Sequence, residues 1–209
     1  MAGNRDYVAI KVPQFSWTRL AGADPFLGVE MASTGEIASF GVNVAEAYWA
    51  AMCSQTGFRV PEARKGVLLG GQIGQLGDIA ERLHKMGFKL YCSDAEVEAS
   101  LSSSVKIQRI SFPLKDKRKL REVFDDYDIQ FVINLAAQRA STLLDQDYVA
   151  RRNAVDFGLP LINNAACARL WCTALEHKLQ QPGGLSGYEE SKIPPEVKSW
   201  KEWVPSEAS

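Results

Sequence analysis

The sequence predicts an α/β fold, a three-layer doubly wound sandwich around a five-stranded parallel sheet, and three observations predict it. Between residues 66 and 179, short apolar runs alternate with helical patterns whose apolar residues recur at i, i+3, i+4 and i+7. Glycines follow two of those helices where a left-handed cap is wanted. Strand-helix alternation also demands right-handed crossovers, which make the sheet parallel and cover both its faces.

The strands are expected at Val67-Leu68-Leu69, Phe88–Cys92, Ile107–Ile110, Ile129–Leu135 and Leu159–Ile162. The first helix carries Leu76, Ile79, Ala80 and Leu83 on one stripe and stops at Gly87. Asp94 caps a short helix reaching about Ser102. Leu120, Val123, Phe124 and Tyr127 stripe the next, Asp147–Phe157 forms another stopped by Gly158, and Cys167, Leu170, Trp171 and Ala174 stripe the last.

Residues 1–60 break this rhythm. Tyr7–Val12 alternates like a strand, 23–36 is dense in Gly, Pro, Ser and Thr, and Val44–Thr56 reads as a helix stopped by Gly57. One strand and one helix cannot build a core, so this segment is expected to be non-autonomous, with 61–65 as a linker and 180–209 as a loop and tail. The tail's Trp200 and Trp203, and the apolar face of Val44–Met52, are candidate contact surfaces.

With 24 Lys and Arg against 25 Asp and Glu, the charge is −1, which excludes the basic excess of a nucleic-acid binder. No run of apolar residues approaches the ~18 that a membrane span needs. Cys53, Cys92, Cys167 and Cys172 form no Cys-x-x-Cys pair and have only His84 and His177 beside them, so no zinc site is expected. They read as reduced thiols, with Cys92, Cys167 and Cys172 as small core hydrophobes.

The carboxyl edge of an open α/β sheet is where ligands bind, and several residues fall there. Gly70-Gly71 opens a glycine-rich turn running to Gly77 before a helix, where backbone N–H groups face a phosphate or carboxylate. The same glycines also suit a plain β-α turn. Ser93, Asp94 and Glu96 end the second strand and Asn134 the fourth, yet Asp94 also serves as a helix cap and Asn134 as a loop anchor. Lys115 and Lys117, in the run Lys115–Lys119, and the pair Arg151-Arg152 add positive charge, although such runs commonly make a solvated face. With both histidines inside amphipathic helices there is no Ser-His-Asp or Cys-His arrangement, and no catalytic residue is assigned.

The run from Tyr7 to Glu36, YVAIKVPQFSWTRLAGADPFLGVEMASTGE, closely resembles the closing segment of the second synthetase half of carbamoyl-phosphate synthase large subunits. Residues 66–179 resemble the methylglyoxal-synthase-like allosteric domain that follows it there. Phe112–Glu122, Tyr148–Phe157 and Pro194–Trp200 most resemble the fungal arginine-specific branch.

The resemblance implies a regulatory and interaction role in arginine biosynthesis. The family's ATP-grasp machinery, with its ATP and Mg, would lie upstream, so the fragment itself is expected to carry no cofactor and no catalysis. The parent would join bicarbonate and glutamine-derived ammonia at the expense of two ATP. Partners implied are the rest of the large subunit, the glutaminase small subunit and a second copy of the chain, with neither nucleic acid nor membrane among them. The compartment implied is the mitochondrial matrix ahead of the cytoplasm.

Family members that bind a nucleotide or N-acetylglutamate use a first-loop Lys, two threonines after the second strand and an Asn after the fourth. Here the Asn is Asn134, the first threonine is Ser93 and the second is Glu96, whose carboxylate would repel a phosphate. No Lys lies between Gly70 and Gly77, and a further threonine position falls at Ala136. These departures imply a degenerate regulatory domain answering weakly or not at all to nucleotides. The alternative is a working effector site for N-acetylglutamate or a nucleotide monophosphate at Gly70, Gly71, Ser93, Lys115, Lys117 and Asn134. Methylglyoxal-synthase chemistry would need a carboxylate base that Asn134-Leu-Ala-Ala137 does not supply.

Overall fold

The computed structural model describes residues 6–26, 33–135, 145–181 and 184. Trp200, Trp203 and Ala136 lie outside the described residues.

From residue 66 onward the chain alternates as its pattern predicts. The sequence of elements is β3 (Gly66–Gly71), α2 (Gly77–Lys85), β4 (Lys89–Cys92), α3 (Ala95–Leu101), β5 (Ile107–Arg109), α4 (Lys117–Asp126), β6 (Ile129–Leu135), α5 (Gln146–Asp156), β7 (Leu161–Ile162) and α6 (Ala165–Leu179). The five strands form one sheet in the order β5-β4-β3-β6-β7, and every pairing is parallel. Both marginal strands are short, three residues in β5 and two in β7.

Alternate side chains of β3 divide the core in two. Val67 and Leu69 join a cluster with α2, α3 and α6 on one face, whereas Leu68 joins Leu120, Phe124, Val149 and Ala154 of α4 and α5 on the other. The sheet is thus covered on both sides, the three-layer arrangement expected. Gly87 and Gly158 take φ of +89° and +70°, the left-handed cap conformations, and Asp94 accepts hydrogen bonds from the backbone N–H groups of Glu96 and Val97.

Three expectations need correction. Gly35–Gly41 forms β2, a strand that 23–36 concealed because its alternation begins only at the end of a turn-rich stretch; it pairs antiparallel with β1 (Val8–Gln14). The apolar face of α1 (Val44–Cys53) is no free surface, since Tyr48, Trp49 and Met52 enter the main core and Trp49 stacks on Trp171 of α6 at 5.4 Å between ring centroids. Cys167 is exposed, whereas Trp171 and Ala174 of the expected stripe are buried and are joined by Ala168, Cys172 and Leu175. None of the four cysteines is in a disulfide, and burial pushes Cys92 up to about 11 and Cys172 up to about 12. Among the described residues, no helix is long and apolar enough to cross a membrane.

Candidate functional site

The carboxyl edge of the sheet is built around the central pair β3 and β6, in which Gly70 faces Asn134 in register. A side chain at position 70 would place its Cβ 2.8 Å from Asn134 Nδ2, so only glycine lets the asparagine lie against the strand. Gly71 follows at φ +90°, turning the chain into a short 3-10 turn, Ile73–Gln75, before α2.

Asn134 is 2% exposed and uses its amide in both directions. Its Nδ2 donates to Asp147 Oδ1 at 2.7 Å, and its Oδ1 accepts from Arg151 Nη1 at 2.8 Å. Asp147 and Arg151 are one helical turn apart on α5, so a single face of that helix brings both to the strand end. Arg151 is wholly buried, and its Nε and Nη2 donate to the two carboxylate oxygens of Asp24, each at 2.8 Å. Its guanidinium also lies 5.7 Å from the centre of the Phe26 ring. The result is a continuous chain of polar contacts, Asp24 to Arg151 to Asn134 to Asp147, with the bidentate geometry that makes an Arg–carboxylate pair strong.

The electrostatics of this edge lean acidic. Burial raises the Asp147 carboxyl above its ordinary range, against the pull of Asn134 and Arg151, and the negative fields of Asp145 and Asp94 add to the rise. Ser93 is half-buried at the end of β4, and Glu96 stands exposed in the first turn of α3. Arg151, the buried cation nearest Asn134, is already matched by Asp24.

Lys115 and Lys117 are not gathered with these residues. They line a separate cavity with Tyr148, Arg152, Asn153 and Asp156, on an adjacent face of α5. The structure therefore divides the residues singled out in the sequence: Gly70, Gly71 and Asn134 meet at the sheet edge with Ser93 ending the next strand, and the two lysines stand elsewhere. Sequence reading gave Arg151 and Arg152 no specific role, noting only that such charge runs commonly make a solvated face; they are 0% and 7% exposed. The available signal was their setting, a Val149–Ala154 stretch rich in small and apolar residues that is buried throughout.

A larger cavity of about 470 Å³, mainly apolar, is lined among others by Val12, Trp17, Met52, Phe58, Leu161 and Leu170.

No family profile matches the chain. Among curated proteins, it is 53% identical over 208 residues to the carbamoyl phosphate synthase arginine-specific large chain of Cutaneotrichosporon cutaneum, a match covering 98% of this chain and 18% of that protein. The mitochondrial arginine-specific large chain of Schizosaccharomyces pombe is 53% identical over 206 residues, covering 99% of this chain and 17% of that one. Human carbamoyl-phosphate synthase (ammonia), mitochondrial, is 40% identical over 179 residues, 82% of this chain and 12% of that protein. The chain thus spans 12–18% of the length of these relatives. A solved short-chain dehydrogenase/reductase of Serratia marcescens overlays 57% of this chain and 67% of its own at 15% identity, with a TM-score of 0.28.

Proposed function

The chain matches the C-terminal region of fungal arginine-specific carbamoyl phosphate synthase large chains, and from that premise we propose that it is the regulatory and docking end of such a synthase, with catalysis lodged elsewhere in the parent. In this reading residues 1–60 are the edge of the second synthetase half, 61–65 the linker, 66–179 the allosteric domain and 180–209 a tail. The parent would make carbamoyl phosphate from bicarbonate, glutamine-derived ammonia and ATP with Mg, alongside a glutaminase subunit. The names of the Schizosaccharomyces pombe and Neurospora crassa relatives, both mitochondrial, favour the mitochondrion as its compartment.

One observation carries the proposal. The groups at the sheet edge best suited to hold a ligand anion, Arg151 and Asn134, are engaged by the chain's own Asp24 and Asp147, and Asp24 lies in the segment assigned to the synthetase half. The edge that would hold an effector is therefore the edge that holds the neighbouring domain's border. A domain so wired transmits position: displacing Asp24 from Arg151 loosens 20–26 from α5, and tightening it does the reverse.

Titration calorimetry of the full chain with uridine monophosphate, inosine monophosphate and N-acetylglutamate tests the reading. The expected result is no saturable micromolar binding, because Glu96 replaces a hydroxyl and Arg151 has no charge to spare. Micromolar binding that is lost in Ser93→Ala would overturn it in favour of a working effector site. That second reading draws support from Gly71 and Ser93, which stand at the carboxyl ends of the adjacent strands β3 and β4.

A further inference from the structure

The pair Arg151 and Asp24 has the build of a binding site that is already filled. Arg151 comes from α5 and Asp24 from the loop before β2, and their side chains are 0% and 9% exposed. The guanidinium turns its Nε and Nη2 edge to one carboxylate, the planar fork that matches such a group oxygen for oxygen. Its other edge, Nη1, is fixed by Asn134 Oδ1 at 2.8 Å, and the Phe26 ring centre lies 5.7 Å away.

Each partner is held in place without the other. Asn134 aims the guanidinium from the end of β6. The backbone around Asp24 is pinned by three further side chains: the Tyr148 hydroxyl donates to Gly22 O at 2.9 Å, Arg152 Nη1 to Ala23 O at 3.1 Å, and Asn163 Nδ2 to Pro25 O. Taking away the Asp24 carboxylate alone therefore leaves the loop anchored and the guanidinium facing a space of carboxylate size.

The surroundings narrow the class of ion that this space accepts. Asp147 takes the other end of the Asn134 amide at 2.7 Å, and burial, with the negative fields of Asp145 and Asp94, already raises its carboxyl. A further negative charge there is costly, so a planar monoanion suits the space and a dianion does not. Asp24 also holds an advantage over any free carboxylate, because its tether gives it an effective concentration on the order of millimolar or more. A free carboxylate enters only as the loop yields.

We propose that Arg151 forms a carboxylate pocket which the chain keeps occupied with its own Asp24, so that a small, singly charged carboxylate and the loop 20–26 compete for one guanidinium. The contact is autoinhibitory: docking of 20–26 closes the pocket, and filling the pocket from solution releases 20–26 from α5. The regulatory consequence rests on the reading of 20–26 as the border of the synthetase half; the pocket rests on the contacts alone.

The test is rescue of Asp24→Ala by formate and acetate in the full chain, with chloride and sulfate at matched ionic strength beside them. Formate is expected to raise the melting temperature of Asp24→Ala saturably, beyond any effect of chloride or sulfate, and to lose that effect in the double variant Asp24→Ala/Arg151→Met. Hydrogen exchange in the unsubstituted chain gives a second readout that does not depend on a variant folding. Formate should speed exchange of the Leu20 and Ala23 amides, which are hydrogen-bonded within the loop, by about tenfold at ten times its dissociation constant for the open pocket. Exchange no faster with formate than with chloride, or equal rescue in the double variant, would overturn the pocket, whatever calorimetry with nucleotides returns. Rescue by sulfate equal to that by formate would overturn the assignment to a singly charged carboxylate.

Discussion

Arg151 and Asp24 stand 127 positions apart and meet through two parallel hydrogen bonds of 2.8 Å, with the arginine fully buried and the aspartate side chain 9% exposed. The pair joins the loop before β2 to the centre of the sheet's carboxyl edge. Its energetic meaning lies in what each partner leaves behind when the other is removed.

Asp24→Ala strands a buried guanidinium, so unfolding in urea should show a loss of about 3–5 kcal/mol. Arg151→Met, which takes the charge away with the contact, should cost less than Asp24→Ala, and the double variant should fall well short of the sum of the two. Strict additivity in that cycle would mean that the pair is not coupled.

Gly70→Ala drives a methyl against Asn134 Nδ2 and, at 3.4 Å, toward Asp147 Oδ1. The asparagine has to move, releasing its bonds to Asp147 and Arg151 together, and overpacking of this kind costs about 1–3 kcal/mol. Thermal unfolding reads the loss. An unchanged melting temperature would show that the strand end yields without cost.

Two carboxylates give opposite dependence on pH. Asp147, its ionisation raised chiefly by burial, binds its proton more tightly folded than unfolded, so its share of stability is present below the unfolded value and is lost as pH rises through the folded one. Asp156 is lowered, so its share is present above the ordinary value and lost as pH falls through the folded one. Asp147→Asn should therefore flatten the fall in stability on the rising side of that window. Asp156→Asn should flatten the acid limb instead. Denaturant midpoints measured from pH 3 to pH 7, where about 3.9 is the reference for aspartate, decide it.

Trp49→Ala removes the ring that stacks on Trp171, and a buried tryptophan so truncated costs about 3–5 kcal/mol. Because Trp49 sits on α1 and Trp171 on α6, the loss should appear as early release of residues 6–60, seen as hydrogen exchange in α1 before β6. Simultaneous exchange in both elements would mean that the two parts unfold as one unit.

The α/β framework was legible because each element signals itself locally. Ile129–Leu135 announces a strand by its own residues, and Gly87, Gly158 and Asp94 mark helix ends by conformational demands that act over one turn. What escaped the sequence depends on distant partners. Nothing adjacent to Arg151 says that Asp24 will bury it, and the exposure of Cys167 follows from the fit of Trp171 between Trp49, Phe58 and Phe131. The candidate site was legible only in part for the same reason. Gly70, Ser93 and Asn134 reach the carboxyl edge by strand register alone, whereas the place of Lys115 and Lys117 depends on which face of α5 they meet.

The brevity of β5 and β7 bears on how this molecule meets others of its kind. A free margin two or three residues long offers too few unpaired N–H and C=O groups to template another strand. The sheet is self-terminating at both ends. At this five-stranded sheet, contact with another molecule falls to side chains on the helical layers, which leaves the choice of neighbour there to surface chemistry.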